Sequence, residues 1–487
     1  MKRGDSRGEC RHNGVSISAA TATVLTCLAV LYCGQVRAES LSGPPNIVFV
    51  LADDLGWSEL GCYGNSFHDT PNLDRLATEG LRFTDAYAAA PVCSPYRAAL
   101  LTGQHPARVG IVDYLRPNSS NALSTSYVTL AEMLGENGYT TGHIGKWHLS
   151  GYSYHGAEHE LKAQDHGFTW SFGGEVKGVG NGANFWPYVF RRQPIRWLDV
   201  PSNRLGDDEY LTDRLNLEAV DFIERSAKRD QPFFLYLSHY APHTILNGRP
   251  DLVQKYIRRH PPGKSGRSRC CLCEDDGLRQ GDPGHHWAVD HNPHFAAMLE
   301  SIDDGIGMIT RKLDALGIGE NTIFVFTSDN GGETNVTTNA PLRGGKSELY
   351  EGGIRVPLVA RWPGKIAPAT ESDLPSAFWD MLPTFAELAG VEAPAEIDGL
   401  SLVPTLFGEP SRQKQHAFLY WEFKEKQAVR MGDWKAVRVD GKDNPLELYN
   451  LKSDIGETKD VSQRHPQILA RINAIMENAH HHPRNGS

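Results

Sequence analysis

Beyond its N-terminus the chain has no long apolar run. No stretch there reaches the roughly 18 residues that a membrane helix needs, so nothing in it would hold the protein in a bilayer. A basic block outside the N-terminus is missing too. With 49 Lys and Arg against 59 Asp and Glu, a formal charge of −10, a nucleic-acid backbone finds no electrostatic footprint. There is no internal repeat, the mark of a solenoid. Cysteine is scarce, at 8 residues in 487, and it forms no zinc spacing. CCLC (270–273), with His285, His286 and His291 beyond it, matches no standard pattern and reads better as a disulfide or a loop insertion.

What is present is ordinary for a globular protein: 40% apolar and 22% charged residues, with enough length for one large domain or two smaller ones. The N-terminus is the exception. Lys2, Arg3, Arg7 and Arg11 precede ISAATATVLTCLAVLYC and then GQVRAES. That order of basic, apolar and small residues predicts a secretory signal over 1–38, cut after Ala38, and an exported mature protein with no membrane attachment. Tyr32 before Cys33 speaks against lipidation, because that position normally holds a small residue. Removing the signal discards Cys10, Cys27 and Cys33, which leaves Cys62, Cys93, Cys270, Cys271 and Cys273. Five is odd, so one thiol has no intramolecular partner unless something else consumes it.

Three stretches share one design: PNIVFVLADD (45–54), PFFLYLSHYAPH (232–243) and NTIFVFTSDNGG (321–332). Each is an unbroken apolar run followed by a polar cluster, as a strand buried on both faces requires. Helical patterns lie between them: TPNLDRLATEG, TLAEMLGENG, TDRLNLEAVDFIERSAK and FAAMLESIDDGIGMITRKLDALG. The alternation predicts an α/β fold with a large, doubly wound, mostly parallel sheet flanked by helices over 39–410. Residues 390–410 read as a surface linker. Over 411–480, HAFLYWEF, AVRMGDWKAVRV, LELYNL and a final amphipathic pattern predict a smaller C-terminal antiparallel sheet plus helix. Residues 246–294 read as a long inserted loop, and 481–487 as a tail whose histidines make no metal site.

In such sheets ligands sit at the carboxyl ends of the strands, where all three polar clusters fall. Asp53, Asp54, Asp329 and Asn330 bring four oxygen-bearing side chains to that edge, a set suited to a hard divalent cation; each pair alone would equally serve to cap a helix or turn. Cationic and protic residues complete the pattern: Arg97, Lys146 and His148 in GHIGKWHLSG, His243, and Lys346 in APLRGGKSELYEGG. Lys146 and His148 alternate, so an extended segment would point both to one side. Taken singly, any of these is more often a solvated or structural residue. Taken together they describe a pocket for a tetrahedral oxyanion held between a metal and positive groups. The Gly-rich loop around Lys346 would let the backbone approach such an anion closely.

At this point the chain resembles a known family. CSPYRAALLTG is similar to the signature of the type I sulfatases, Cys-x-Pro-x-Arg followed by Thr-Gly. NIVFVLADDLGW, GKWH, FTSDNGG, PLRGGK and ELYNLKSDIGE follow in the family's order, so the resemblance covers essentially the whole mature chain. It is strongest to the arylsulfatase A and N-acetylgalactosamine-sulfatase-like branch of the alkaline phosphatase superfamily.

The resemblance implies that Cys93 is oxidised to Cα-formylglycine by a formylglycine-generating enzyme before folding is complete, which would settle the odd thiol. A hydrated aldehyde carries two hydroxyls on one carbon. One attacks sulfur and expels the alcohol; the other then loses its proton, the carbon–oxygen bond to sulfate breaks, and the aldehyde returns. Asp53, Asp54, Asp329 and Asn330 would bind one calcium together with residue 93. Arg97 would steady the hydrate and balance the acidic residues. Lys146 and Lys346 would hold sulfate oxygens, His243 with Lys346 would protonate the departing alcohol, and His148 would take the hydrate's proton. The implied substrate is a sulfated carbohydrate or an aryl sulfate. A phosphonate or phosphate ester hydrolase of the same superfamily, and a catalytically dead sulfated-glycan binder, are the alternatives. Sugar specificity would rest on loops such as 150–200 and 246–294. Asn118, Asn335 and Asn485 begin glycosylation sequons. One position departs from the family pattern: Tyr96 stands where serine is usual.

Overall fold

The structure is a computed structural model that describes residues 43–116, 119–151, 160–174, 184–188, 200–260, 288–441 and 444–479. The expected signal segment, the CCLC cluster, His285, His286, Asn118, Asn485 and the C-terminal tail lie outside these residues. Ten strands build the larger part: β1 (Asn46–Ala52), β2 (Leu81–Phe83), β3 (Ala86–Tyr87), β4 (Thr140–Gly145), β5 (Trp170–Phe172), β6 (Phe233–Ser238), β7 (Thr322–Ser328), β8 (Leu358–Arg361), β9 (Thr370–Ser372) and β10 (Ser376–Ala377). Eight of them form one sheet in the order β5-β4-β6-β1-β7-β8-β2-β9, and β3 and β10 pair separately. Within the large sheet only β8 runs against its neighbours; the other pairings are parallel.

The unbroken apolar run of β1 has a direct cause. Its odd residues Ile47, Phe49 and Leu51 enter one core, and Val48, Val50 and Ala52 enter another on the opposite face. Both faces of a central strand are covered, so alternation with polar residues is impossible. Helices Pro71–Thr78, Leu211–Ser226 and Pro293–Ala315 supply the second core. Helices Cys93–Thr102, Leu130–Glu136 and Met381–Ala389 supply the first.

Local signals set the helix ends. Thr129 and Glu132 form a reciprocal capping box, with Glu132 N–H donating to Thr129 Oγ1 at 3.2 Å and Thr129 N–H to Glu132 Oε2 at 2.8 Å. Gly103, the glycine of the Thr-Gly pair, takes φ 66° and ends helix Cys93–Thr102 by donating its N–H to Ala99 O. A side chain there would be strained and would press on Ile397 and Leu382 at 3.1 and 3.2 Å.

Strands β11 (Leu419–Phe423), β12 (Lys426–Met431), β13 (Trp434–Arg438) and β14 (Glu447–Asn450) make the antiparallel C-terminal sheet. One face packs on helix Pro466–Ala479 through Tyr420, Val429, Ala436, Leu448, Ile472 and Met476. From the other face Leu419, Trp421, Phe423, Ala428, Val437 and Tyr449 join the first core, and Trp421 Nε1 donates to Ala88 O at 2.8 Å.

Two sequence expectations are corrected. Residues 246–294 are not simply a loop, because Pro250–Arg259 is a helix whose Leu252, Val253 and Tyr256 are buried. Residues 390–410 are not a bare linker either. Val403–Leu406 is a helical turn, and Asp398 accepts from His105 N at 2.7 Å and Arg108 Nη1 at 2.5 Å, which ties the segment to the helix after the Cys93 turn. Among the described residues no helix is long and apolar enough to cross a membrane.

Candidate active site

Four parallel strands end side by side, and their ends continue the ladder. Lys146 N–H donates to Ser238 O at 2.8 Å, His239 N–H to Leu51 O at 2.8 Å, and Asp329 N–H to Ala52 O at 3.2 Å. The polar residues after β1, β4, β6 and β7 therefore arrive at one edge. Asp54 turns away from β1 at φ 64°, a left-handed conformation uncommon outside glycine. Its N–H donates to Asp329 Oδ1 at 3.1 Å, and its Oδ1 accepts from Asn330 Nδ2 at 2.8 Å. Asp53, Asp54, Asp329 and Asn330 are all buried.

Cys93 opens its helix beside this cluster, with Sγ 3.3 Å from Asp53 Oδ1 and 3.2 Å from Lys146 Nζ. Lys146 also pairs with Asp53 Oδ2. Arg97, one turn further along and fully buried, is held on two sides. Its Nη1 donates to Lys146 O at 2.7 Å and Ser238 Oγ at 2.5 Å, and its Nη2 to Asp329 Oδ2 at 2.8 Å. Lys346 Nζ reaches across to Asp54 Oδ2 at 2.6 Å and lies 2.8 Å from His243 Nε2. All ten residues singled out in the sequence thus meet at one edge.

Several details differ from the expectations. The segment after β4 is not extended, because His148 has φ 53°. His148 still turns inward, with Nε2 2.9 Å from Leu115 O. His243 lies 3.5 Å from Asp54 Oδ2, and Asp53, Asp54, Cys93 and His243 present potential ligand atoms all within 4.8 Å of one another. The glycines around Lys346 serve the packing of protein backbone: a Cβ on Gly331 would come 1.7 Å from Gly352 O, and one on Gly353 2.0 Å from Glu348 O. Sequence reasoning missed Ser238 and also Ser94, whose Oγ accepts from Leu115 N–H at 3.0 Å. Ser238 carried a signal, a hydroxyl closing a buried strand. Ser94 carried none.

Three carboxylates and three permanent cations share this dry space, and the pKa directions follow. Burial, with Asp53 alongside, pushes the Asp329 carboxyl up to about 6. Burial would raise Asp54 as well, but Lys346 and then His243 outweigh it and hold it below the usual carboxylate range. Burial opposes the Lys346 ammonium, yet Asp54 prevails and raises it. Burial and Lys346 push His243 down to about 3, and burial and Lys146 hold His148 well below its ordinary value. The Cys93 thiol is raised by burial and by Asp53, so as a thiol it is a poor nucleophile. Asn330 Oδ1 is buried without a hydrogen-bond partner among the described residues. An unpartnered amide oxygen among three carboxylates fits a hard cation such as calcium.

The model of the sulfatase family matches residues 45–391. The chain belongs to the sulfatase family. A second model, for the C-terminal part of N-sulphoglucosamine sulphohydrolase, matches residues 345–482 of this sulfatase. Arylsulfatase A of Homo sapiens is 36% identical, over 82% of this chain and 75% of its own length. N-acetylgalactosamine-6-sulfatase of Mus musculus is 33% identical, over 85% and 74%. The crystal structure of Ps i-CgsB superposes with a TM-score of 0.75 at 30% identity, covering 91% of this chain and 94% of that one. Such membership makes the protein a sulfuric ester hydrolase.

Tyr96, the departure from the family pattern, is fully buried, with its ring 4.9 Å from that of Phe378. It fills the core behind the signature helix. Tyr96→Ser should therefore leave a cavity and lower stability by about 3 kcal/mol, read from urea unfolding. A loss under about 1 kcal/mol would show that the ring packs nothing.

Proposed function

We propose that this sulfatase is an exported, calcium- and formylglycine-dependent enzyme that hydrolyses sulfate esters of a carbohydrate. The observation that carries the reading is the buried cluster in which Cys93 Sγ lies 3.3 Å from Asp53 and 3.2 Å from Lys146, with Lys346 and His243 on the far side of Asp54. Oxidation of Cys93 by a formylglycine-generating enzyme, as the signature implies, replaces the inert thiol with an aldehyde. Its hydrate would supply a nucleophilic hydroxyl regenerated after each turnover, and Asp53, Asp54, Asp329 and Asn330 would hold a calcium that, when bound, would supply positive charge beside residue 93.

The remaining steps belong to the chain's own residues. Arg97, fixed by Ser238 and Asp329, keeps residue 93 and the carboxylates in register. Lys146 Nζ holds a sulfate oxygen beside residue 93. The hydrogen-bond partners of the histidines decide which of their nitrogens acts. Leu115 O can only accept, so His148 Nε2 carries the hydrogen and the buried, unpartnered Nδ1 keeps its lone pair. With its pKa held low by burial and Lys146, His148 is a neutral base ready for the proton of residue 93 as sulfate leaves. Likewise Thr244 O places the hydrogen of His243 on Nδ1, so Nε2 accepts from Lys346. Lys346 Nζ, which holds the protons of this pair, then serves the departing oxygen as well as the sulfate.

Carbohydrate is the proposed substrate class because Ps i-CgsB, at 29% identity, was crystallised in complex with k-i-k-neocarrahexaose. The expected signal over 1–38 supports export, and we assign the chemistry to 39–410 with 411–480 as an accessory subdomain. The direct test is a screen of defined sulfated saccharides beside the corresponding phosphate esters, with free sulfate and free phosphate measured. Release of phosphate instead, or of neither anion by protein with a confirmed aldehyde, would refute the reading.

Three outcomes are expected. Cys93→Ala should abolish turnover with the fold intact, and Cys93→Ser should trap a sulfate ester visible by mass spectrometry; wild-type turnover by Cys93→Ala would sink the mechanism. Elemental analysis should find about one calcium per chain, and Asp329→Ala should lose both metal and activity, whereas full activity after stringent chelation would remove the metal from the account. Lys346→Ala should lower kcat about a hundredfold or more on an alkyl sugar sulfate with little change in melting temperature. The loss should shrink on an aryl sulfate, whose phenolate leaves with less protonation. Equal losses on both would leave Lys346 only a sulfate-binding role.

A further inference from the structure

Lys346 stands in a stretch with no regular structure: residues 329–350 form neither strand nor helix, yet its Nζ is held to within 2.6 Å of Asp54 and 2.8 Å of His243. Part of what fixes it comes from the turn that follows β7. Lys346 N–H donates to Gly332 O at 3.1 Å, and Gly331 N–H to Gly353 O at 3.0 Å. The remainder comes from the C-terminal sheet. Arg343 Nη1 donates to Tyr449 Oη at 2.7 Å and Glu457 O at 3.1 Å, and Tyr350 Oη donates to Glu447 at 2.6 Å. Glu351 meets the fully buried Lys435 at 2.8 Å, and its N–H donates to Glu457 Oε2 at 2.6 Å.

The contact nearest Lys346 is the most telling. Ser347, the next residue, has φ 70°, a left-handed conformation that a side-chain-bearing residue keeps only when its surroundings impose it. Its N–H donates to Pro91 O at 2.9 Å, two residues before Cys93. Its carbonyl accepts from Lys426 Nζ, at the start of β12, at 3.0 Å. Ser347 is thus pinned between the segment that leads to the nucleophile and an ammonium of the C-terminal sheet. A charge-assisted hydrogen bond of this kind is stronger than a neutral one, and losing it would release the Ser347–Glu348 peptide, one residue beyond Lys346, while the Ser347 N–H stays on Pro91 O.

We propose that the C-terminal sheet is a clamp that sets the position of Lys346 relative to residue 93, and that Lys426 is a positioning residue acting through the Ser347 carbonyl. The proposal rests on the assignment of Lys346 to the departing oxygen. It gives the accessory sheet a part in the reaction although none of its residues reaches the carboxylate cluster.

Lys426 is half-buried and its strand is paired through the backbone, so Lys426→Met removes the ammonium while keeping the stem and the fold. Lys426→Met, Lys426→Arg and Lys346→Ala are compared on 4-nitrophenyl sulfate and on the sulfated saccharide that the wild-type protein turns over best, with melting curves for each. Lys426→Met should lower kcat about tenfold on the saccharide and no more than about twofold on the aryl sulfate, with KM and melting temperature unchanged, since small misplacements of a catalytic group cost rate rather than binding. Lys426→Arg should restore most of the loss. If Lys346→Ala discriminates between the substrates and Lys426→Met does not, the clamp is wrong and the role of Lys346 stands. If Lys346→Ala loses equally on both, the leaving-group role falls and the clamp falls with it. A loss in Lys426→Met that tracks a fall in melting temperature would also overturn it.

Discussion

The arrangement depends on three carboxylates held together away from water. Like charges in a medium of low dielectric repel strongly, and burial alone disfavours each anion. Asp53, Asp54 and Asp329 nevertheless converge because every one has a cationic neighbour. Lys146 meets Asp53, Lys346 meets Asp54, and Arg97 meets Asp329. Removing Lys146 or Arg97, both fully buried, leaves an uncompensated buried charge, which costs about 3–5 kcal/mol in comparable pairs; Lys346 is partly exposed and shares Asp54 with His243, so its loss weighs less on the fold. The geometry is therefore specified by charge balance as much as by packing, and two of the balancing groups, Lys146 and Lys346, are the ones proposed to hold the sulfate.

The sheet topology makes this convergence possible. Because β4, β6, β1 and β7 are adjacent and parallel, their carboxyl ends present consecutive polar residues from distant parts of the chain at strand spacing. Helix Cys93–Thr102 then lays its first turn across that edge, and its ten residues are all buried. A helix without an exposed face explains why the signature reads as small and apolar residues around a single arginine. Arg97 is tolerated there because Ser238, the Lys146 carbonyl and Asp329 accept from its two terminal nitrogens.

Much of this was legible in the sequence. An unbroken apolar run followed by Asp-Asp or Asp-Asn is a strong local signal, since only a strand covered on both faces reads that way. The short strands β2, β8 and β9 were not read, being three or four residues long and dictated by their neighbours. His148 was misplaced in conformation because alternation assumes an extended backbone, whereas His148 takes a left-handed turn and its ring meets Leu115 O, 33 residues away. Lys346 was found through its motif, but the contacts that hold it were not. Lys426, Lys435, Tyr449 and Glu457 lie from 80 to 111 residues further along, and no local pattern pairs them with that loop.

The position of β1 also sets a schedule. It is the first strand made, yet its neighbours are β6 and β7, and β7 ends at Ser328. About 275 residues must be synthesised between the end of β1 and the end of β7, which at roughly 5–20 residues per second takes about 15–55 s. For about 235 of those residues, from Cys93 to Ser328 and roughly 12–47 s at that rate, the segment that begins at Cys93 has no finished sheet to be buried against, and its thiol stays open to solvent. Once β7 zips into place Cys93 is 2% exposed and out of reach. The order of strands along the chain acts as a timer on the exposure of one side chain.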